Sequence, residues 1–307
     1  MTKFIVLASF IFCATAVAQA SKPNQPDTTL LWKVEGEPLE QPSYLFGTIH
    51  LGGGRLNTLH PAAEQAFQEA DVFYAEIPLD PGTQVAAMQG LVRKDGETLS
   101  GSIGPELAAR LTEELKRIND HLDITPFERL HTWVIATALP ILEFQLQGGT
   151  ALDNVLWNRA QKEGKELDSI ETVDSQFAIF NSLTEREQVI MLEATLDFMS
   201  SSRERGVDLI RATIDAYIRG DAIAIREIVN ASLEEMTAGE HRELGEKLFA
   251  KLVTDRDAEM ARTIVSRLEG APQKTHFFAA GTAHLVGKES IVSHLQKAGY
   301  RVTRVEK

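Results

Sequence analysis

Apolar and polar positions along this chain follow two periods, and the switches between them divide it. Near the start, "LLWKVEG" and "SYLFG" are short apolar-aromatic runs separated by a loop with Gly and Pro. This pattern predicts a β-hairpin. "HPAAEQAFQEA" follows, with apolar positions at Ala63, Ala66, Phe67 and Ala70 and a Pro near its start, the signature of a helix. "DVFYAEIP" predicts a buried strand halted by Pro78. From about residue 82 to 270 apolar residues recur three or four apart, in segments such as "PELAARLTEELKRIN", "LDNVLWNRAQKEG" and "TEREQVIMLEATLDFMSS". That spacing predicts helices, interrupted by one short strand, "KELDSIE". The chain then returns to strand "THFFAAG", helix "KESIVSHLQKAG" and strand "YRVTRV".

Strands at both ends with helices between predict an α/β fold. Its central mixed sheet is built from both ends of the chain, and a large helical insertion covers it. No Pro/Gly/Ser-rich linker separates the helical block, so residues 21–307 are expected to form one domain, mostly helical over 82–270. Residues 1–20 read differently. Lys3, an apolar run from Phe4 to Val17 and the ending Ala18-Gln19-Ala20 predict a cleaved signal peptide. The mature chain is then periplasmic or secreted. No later segment is apolar for long enough to span a membrane.

Composition narrows the chemistry. The net charge of −13 argues against nucleic acid and against an anionic membrane surface. The single cysteine, Cys13, lies inside the predicted signal. The mature chain therefore offers no disulfide, thiolate metal site or cysteine nucleophile.

One seven-residue frame is written twice. "GTIHLGG" begins at Gly47 and "GTAHLVG" at Gly281, and both read G-T-x-H-L-x-G. Each follows an apolar strand. Gly allows a turn with positive φ or a close backbone approach, and Thr can tie the turn through a local hydrogen bond. Two such strands side by side would present His50 and His284 at the C-terminal edge of the sheet, where α/β folds form their clefts. A hydrolytic metal site commonly joins two histidines to one carboxylate. Glu76, closing "VFYAEIP" in apolar surroundings, is the candidate third group. Gly52-Gly53-Gly54 lacks the Lys-Ser/Thr of a P-loop and reads as a flexible turn beside His50. The remaining mature-chain histidines (His60, His121, His131, His241, His276 and His294) lack partners at ligand spacing and receive no role.

Taken together, the paired G-x-x-H frames, "VFYAEIP", "LDNVLWNRAQKEGKELDSIET" and the terminal "FFAAGTAHLVGKESIVSHLQKAGYRV" resemble the TraB/GumN (TraB/PrgY) family, which includes the TIKI-type metalloproteases. The resemblance spans essentially the whole mature chain. It implies a fold related to erythromycin-esterase and ChaN-like proteins and, for TIKI-like members, a divalent-metal-dependent peptidase. It places the paired histidines at His50 and His284 and the glutamate at Glu76. It adds Arg256 in "LVTDRDAEMA", Glu171 and Gln176 in "SIETVDSQ", and Asp153 after Leu152.

The expectation is an exported hydrolase acting on a peptide or small molecule, with manganese, cobalt or zinc on His50, His284 and Glu76. Glu76 is either ligand or general base, and Arg256 stabilises an oxyanion or holds a substrate carboxylate. Two rivals stand beside it. One is a non-catalytic binding module for metal, haem or peptide. The other is a helical interaction protein whose histidines share no partner.

Overall fold

The computed structural model describes residues 28–236 and 242–306. The expected leader, with Cys13, lies outside the described residues, as does His241. The protein is α/β, with one mixed sheet among the described residues. Its strands are β1 (Leu31–Glu35), β2 (Ser43–Thr48), β3 (Val72–Ala75), β4 (Glu166–Ser169), β5 (His276–Gly281) and β6 (Arg301–Arg304). They lie in the order β4-β3-β5-β2-β1-β6.

The sheet has two halves. β1 pairs antiparallel with β2, the expected hairpin, and with β6. β2, β5, β3 and β4 run parallel to one another. Parallel strands are covered on both faces, so they read as continuous apolar runs. β3 ("VFYA") and most of β5 ("HFFAAG") are buried at successive positions. Phe277 is the hub, with ring centroids 5.4 Å from Phe67, 5.6 Å from Phe46 and 6.1 Å from Phe73. β4 comes from inside the helical stretch and joins the common sheet through β3.

Helices supply a second apolar cluster, centred on Leu99, Leu111, Leu115, Trp133, Val134 and Leu139, all at most 1% exposed. The helix Leu99–Ile118 bends at Gly104, whose φ of 78° precedes Pro105. Among the described residues no helix is long and apolar enough to cross a membrane.

The triple glycine is not a free turn. A β-carbon on Gly52 would lie 1.6 Å from the Thr150 carbonyl oxygen, and one on Gly149 would lie 2.0 Å from that of Gly52. Two backbones touch here, and only glycine allows it. The contact seats the start of the helix Leu152–Lys162, which carries Asp153, against the loop that carries His50. Gly52→Ala is expected to cost about 1–3 kcal/mol, the usual penalty for forcing atoms into a filled space. Urea unfolding would read it as a lower midpoint at constant slope. An unchanged midpoint would mean that the two loops separate freely.

Candidate metal and catalytic centre

Every parallel strand delivers one candidate residue just past its C-terminal end. His50 follows β2, Glu76 follows β3, Glu171 follows β4, and His284 follows β5. Helix starts face the same edge. Asp153 is in the first turn of Leu152–Lys162, Gln176 in that of Val173–Asn181, and Arg256 and Asp257 in that of Asp255–Gly270. Strand ends and helix N-termini thus build the cleft together, as the α/β arrangement favours.

The two frames lie side by side but staggered by one residue, since Gly47 pairs with Ala280 and Thr48 with Gly281. Neither Gly47 nor Gly281 has positive φ. Of the two uses expected for these glycines, close approach is the one found. A β-carbon on Gly47 would lie 2.7 Å from Thr282 Oγ1. The threonines also act at long range, not within their own turns. Thr282 donates to the Thr48 carbonyl at 2.9 Å, locking one frame to the other. Thr48 donates to Asp153 Oδ1 at 2.7 Å.

The convergence point is the space beside Gly281. A β-carbon there would meet Glu76 Oε1 at 3.2 Å, His284 Cδ2 at 3.4 Å and His50 Nε2 at 3.7 Å. Each imidazole has a carboxylate behind it. His284 Nδ1 is 2.5 Å from Oδ1 of fully buried Asp257, and His50 Nδ1 is 3.4 Å from Asp153 Oδ2. With its Nδ1 proton on Asp257, His284 presents an acceptor at Nε2, which lies 3.3 Å from Arg256 Nη1.

Glu76 is almost fully enclosed. Its Oε1 accepts the Gly281 N–H at 2.6 Å, and its Oε2 accepts from Arg256 Nη2 at 2.8 Å and Gln176 Nε2 at 3.3 Å. Arg256 is braced from behind by Glu171, 2.6 Å from Nη2. The residues proposed from sequence therefore lie together at one edge of the sheet.

A profile of the TraB/PrgY/gumN family matches residues 30–304. The chain belongs to this family. Among similar proteins are Metalloprotease TIKI1 of Danio rerio, 26% identical over 92% of this chain, and Metalloprotease TIKI1 of Homo sapiens, 24% identical over 92%. The chain spans 64% and 63% of their lengths. An uncharacterized protein of Treponema pallidum is 21% identical over 95% of the chain and 88% of its own length. No solved structure matches, so the expected kinship with erythromycin-esterase and ChaN-like folds is not carried further.

The names of the TIKI relatives imply a metal, and this TraB/PrgY/gumN chain can be tested against one. The donors fit in kind. Two imidazoles, each backed at Nδ1 by a buried aspartate, are arranged as ligating histidines usually are, and Glu76 supplies an anionic oxygen. The spacing does not close. Among the described residues no group of three His, Cys, Asp or Glu side chains is gathered to hold an ion. Arg256 gives the reason, since its guanidinium already stands against both Glu76 and His284. An entering cation has to displace it.

Asp257 is absent from the residues proposed from sequence, although it is the neighbour of Arg256 in the family segment. Its signal is an acidic residue at an inward position of an otherwise amphipathic helix. His276, given no role, is buried with Nδ1 3.1 Å from the Tyr74 hydroxyl and is structural.

Charge at the centre gives a pH signature. For Glu76, burial opposes ionisation, but Arg256, His50, His284 and the Gly281 N–H outweigh it and hold the carboxyl well below the ordinary 4.5. For His50, burial opposes the charge, but Asp153 and Glu76 push its pKa from 6.5 up to about 9. The 43% exposure of the His50 side chain opens into the cleft, beside these carboxylates.

A lowered carboxyl pKa adds stability that is present above pH 4.5 and lost as pH falls through the folded value. A raised imidazole pKa adds stability that is full below pH 6.5 and lost as pH rises through about 9. Without metal, these two groups together favour the folded state most between pH 4.5 and 6.5. Thermal unfolding in chelator, followed from below pH 4.5 to above pH 9, checks it. His50→Gln should remove the decline on the alkaline side, and a decline that persists would assign it to another group.

Proposed function

We infer that this protein is a divalent-metal-dependent peptidase. The observation that carries the reading is the meeting of His50, Glu76 and His284 beside Gly281, with each imidazole turned by its own buried aspartate. The metalloprotease names of relatives aligned over most of the chain support it. His50, His284 and Glu76 would hold the metal only after drawing closer than they stand with Arg256 between them. When bound, it supplies Lewis acidity and a water of lowered pKa.

The chain's own groups do the rest. Asp257 fixes the His284 ring through its hydrogen bond at Nδ1, and Asp153 stands 3.4 Å from His50 Nδ1 as an ion-pair partner. Glu76 is held ionised by Arg256 and its other neighbours in the metal-free protein, and would serve either as anionic ligand or as general base. Arg256, braced by Glu171, can place Nη1 on a carbonyl oxygen as negative charge builds there.

Incubating the purified protein with a peptide library, with and without manganese, tests the reading. Manganese-dependent cleavage is expected. His50→Ala and His284→Ala should each weaken manganese binding at least tenfold, the scale seen when even outer contacts of a metal site are removed. His121→Ala, an exposed site away from the cleft, should change nothing. A rival reading, a binding module that does no chemistry, has Arg256 in its favour, because the guanidinium already neutralises the site. Manganese binding without cleavage of any peptide would favour the module.

A further inference from the structure

A cavity of about 210 Å³ opens beside the centre, and its lining is divided. Its polar lining residues are His50, Glu76, Asp153, Asn154, Gln176 and Arg256. Its apolar lining residues are Ala75, Ile77, Leu79, Ile179, Phe180 and Leu252. Ile77 and Leu79 are buried, whereas Ile179, Phe180 and Leu252 keep part of their surface exposed. Those three leave apolar surface facing a hollow next to the reacting groups.

The apolar wall is fixed in place. Phe180 stacks on Trp133, with centroids 4.7 Å apart and planes 8° from parallel. Leu252 belongs to a π turn, Ala250–Thr254, just before Arg256. Such turns are frequent at functional sites. This one brings Leu252 and Arg256 to the same cavity, with Arg256 Nη1 3.5 Å from the Leu252 carbonyl oxygen. Arg256 and Ile179 also line a second cavity of about 400 Å³, whose other lining residues include Glu171, Ser175, Lys251 and Asp255.

The geometry points to the smaller cavity as a specificity pocket that takes one large apolar side chain, of leucine, methionine or phenylalanine size, from the residue flanking the scissile bond. This rests on the peptidase reading above. A cavity of about 150 Å³ is enough for benzene, so about 210 Å³ holds one such side chain and not two. A charged side chain would be desolvated against Ile77, Leu79 and Leu252 without a partner. The charged groups on the lining answer one another, Glu76 with Arg256 and the Gly281 N–H, Arg256 with Glu76 and Glu171, and His50 with Asp153 at 3.4 Å.

The test is the cleavage profile of the manganese-loaded protein on peptides randomised around the scissile bond. At one flanking position, leucine, methionine or phenylalanine should be preferred over serine or aspartate by about tenfold or more, the scale on which apolar pockets discriminate. Ile179→Trp fills the cavity. It should shift that position toward glycine and alanine, lowering the leucine-to-glycine ratio at least tenfold. A flat or charged preference, or a profile that Ile179→Trp leaves unmoved, overturns the pocket while leaving the peptidase reading standing. If the wild-type protein cleaves no peptide, the peptidase reading fails and binding decides the pocket. N-acetyl-leucinamide, but not N-acetyl-serinamide, should then perturb the methyl resonances of Ile179 and Leu252 saturably in the wild-type protein. Equal or absent responses overturn the pocket.

Discussion

Glu76→Gln should lower manganese-dependent peptide cleavage by about 10²–10⁴-fold, the range for losing a central acid–base or charged group, and should also weaken manganese binding. The substitution keeps the shape of the side chain. Glutamine can still accept the Gly281 N–H that Glu76 Oε1 now takes at 2.6 Å, and Arg256 keeps Glu171 as a partner. What is lost is one negative charge in an enclosed site. The joint readout separates the two roles open to this residue. A general base would take turnover with it and leave metal affinity intact. An anionic ligand would take both. Turnover within a few-fold of wild type would remove Glu76 from the chemistry altogether.

The sequence made some of this centre legible and hid the rest for identifiable reasons. The sheet was readable because buried parallel strands leave continuous apolar runs, as in "VFYA" and "HFFAAG". His50 and His284 stood out through repetition, and Glu76 through an acidic residue ending an apolar strand. The parallel pairing of β2 with β5 then brings the two frames together. Other features depend on contacts that periodicity does not encode. Nothing local shows that Thr48 reaches Asp153, 105 positions away, or that Thr282 reaches Thr48, 234 positions away. Asp257 was hidden by its place in an ordinary charged helical stretch. Gly52 looked like flexibility because glycine marks both mobile turns and close backbone contacts, and only its meeting with Thr150 tells them apart. Arg256 was found through the family segment, but its contact with His284 was not.

That contact leads to the second large effect. Arg256→Met should destabilise the metal-free protein and strengthen its grip on manganese. In the wild-type protein the guanidinium neutralises Glu76 at 2.8 Å and Glu171 at 2.6 Å, with both carboxylates 7% exposed. Removing one partner of a buried ion pair typically costs about 3–5 kcal/mol, because the remaining charge is left without compensation. Here two carboxylates would remain, joined only through Gln176. A divalent cation could answer both, and it would no longer compete with a guanidinium beside His284 Nε2. Two unit charges about 4 Å apart interact by about 4 kcal/mol at an effective dielectric near 20, so an affinity gain of about tenfold or more is expected. Thermal unfolding with and without manganese, together with calorimetric titration, reads both effects. The variant should melt lower than wild type in chelator and gain more from added manganese. Weaker manganese binding in Arg256→Met would show the opposite arrangement, in which the arginine assembles the ligands and the metal needs it in place.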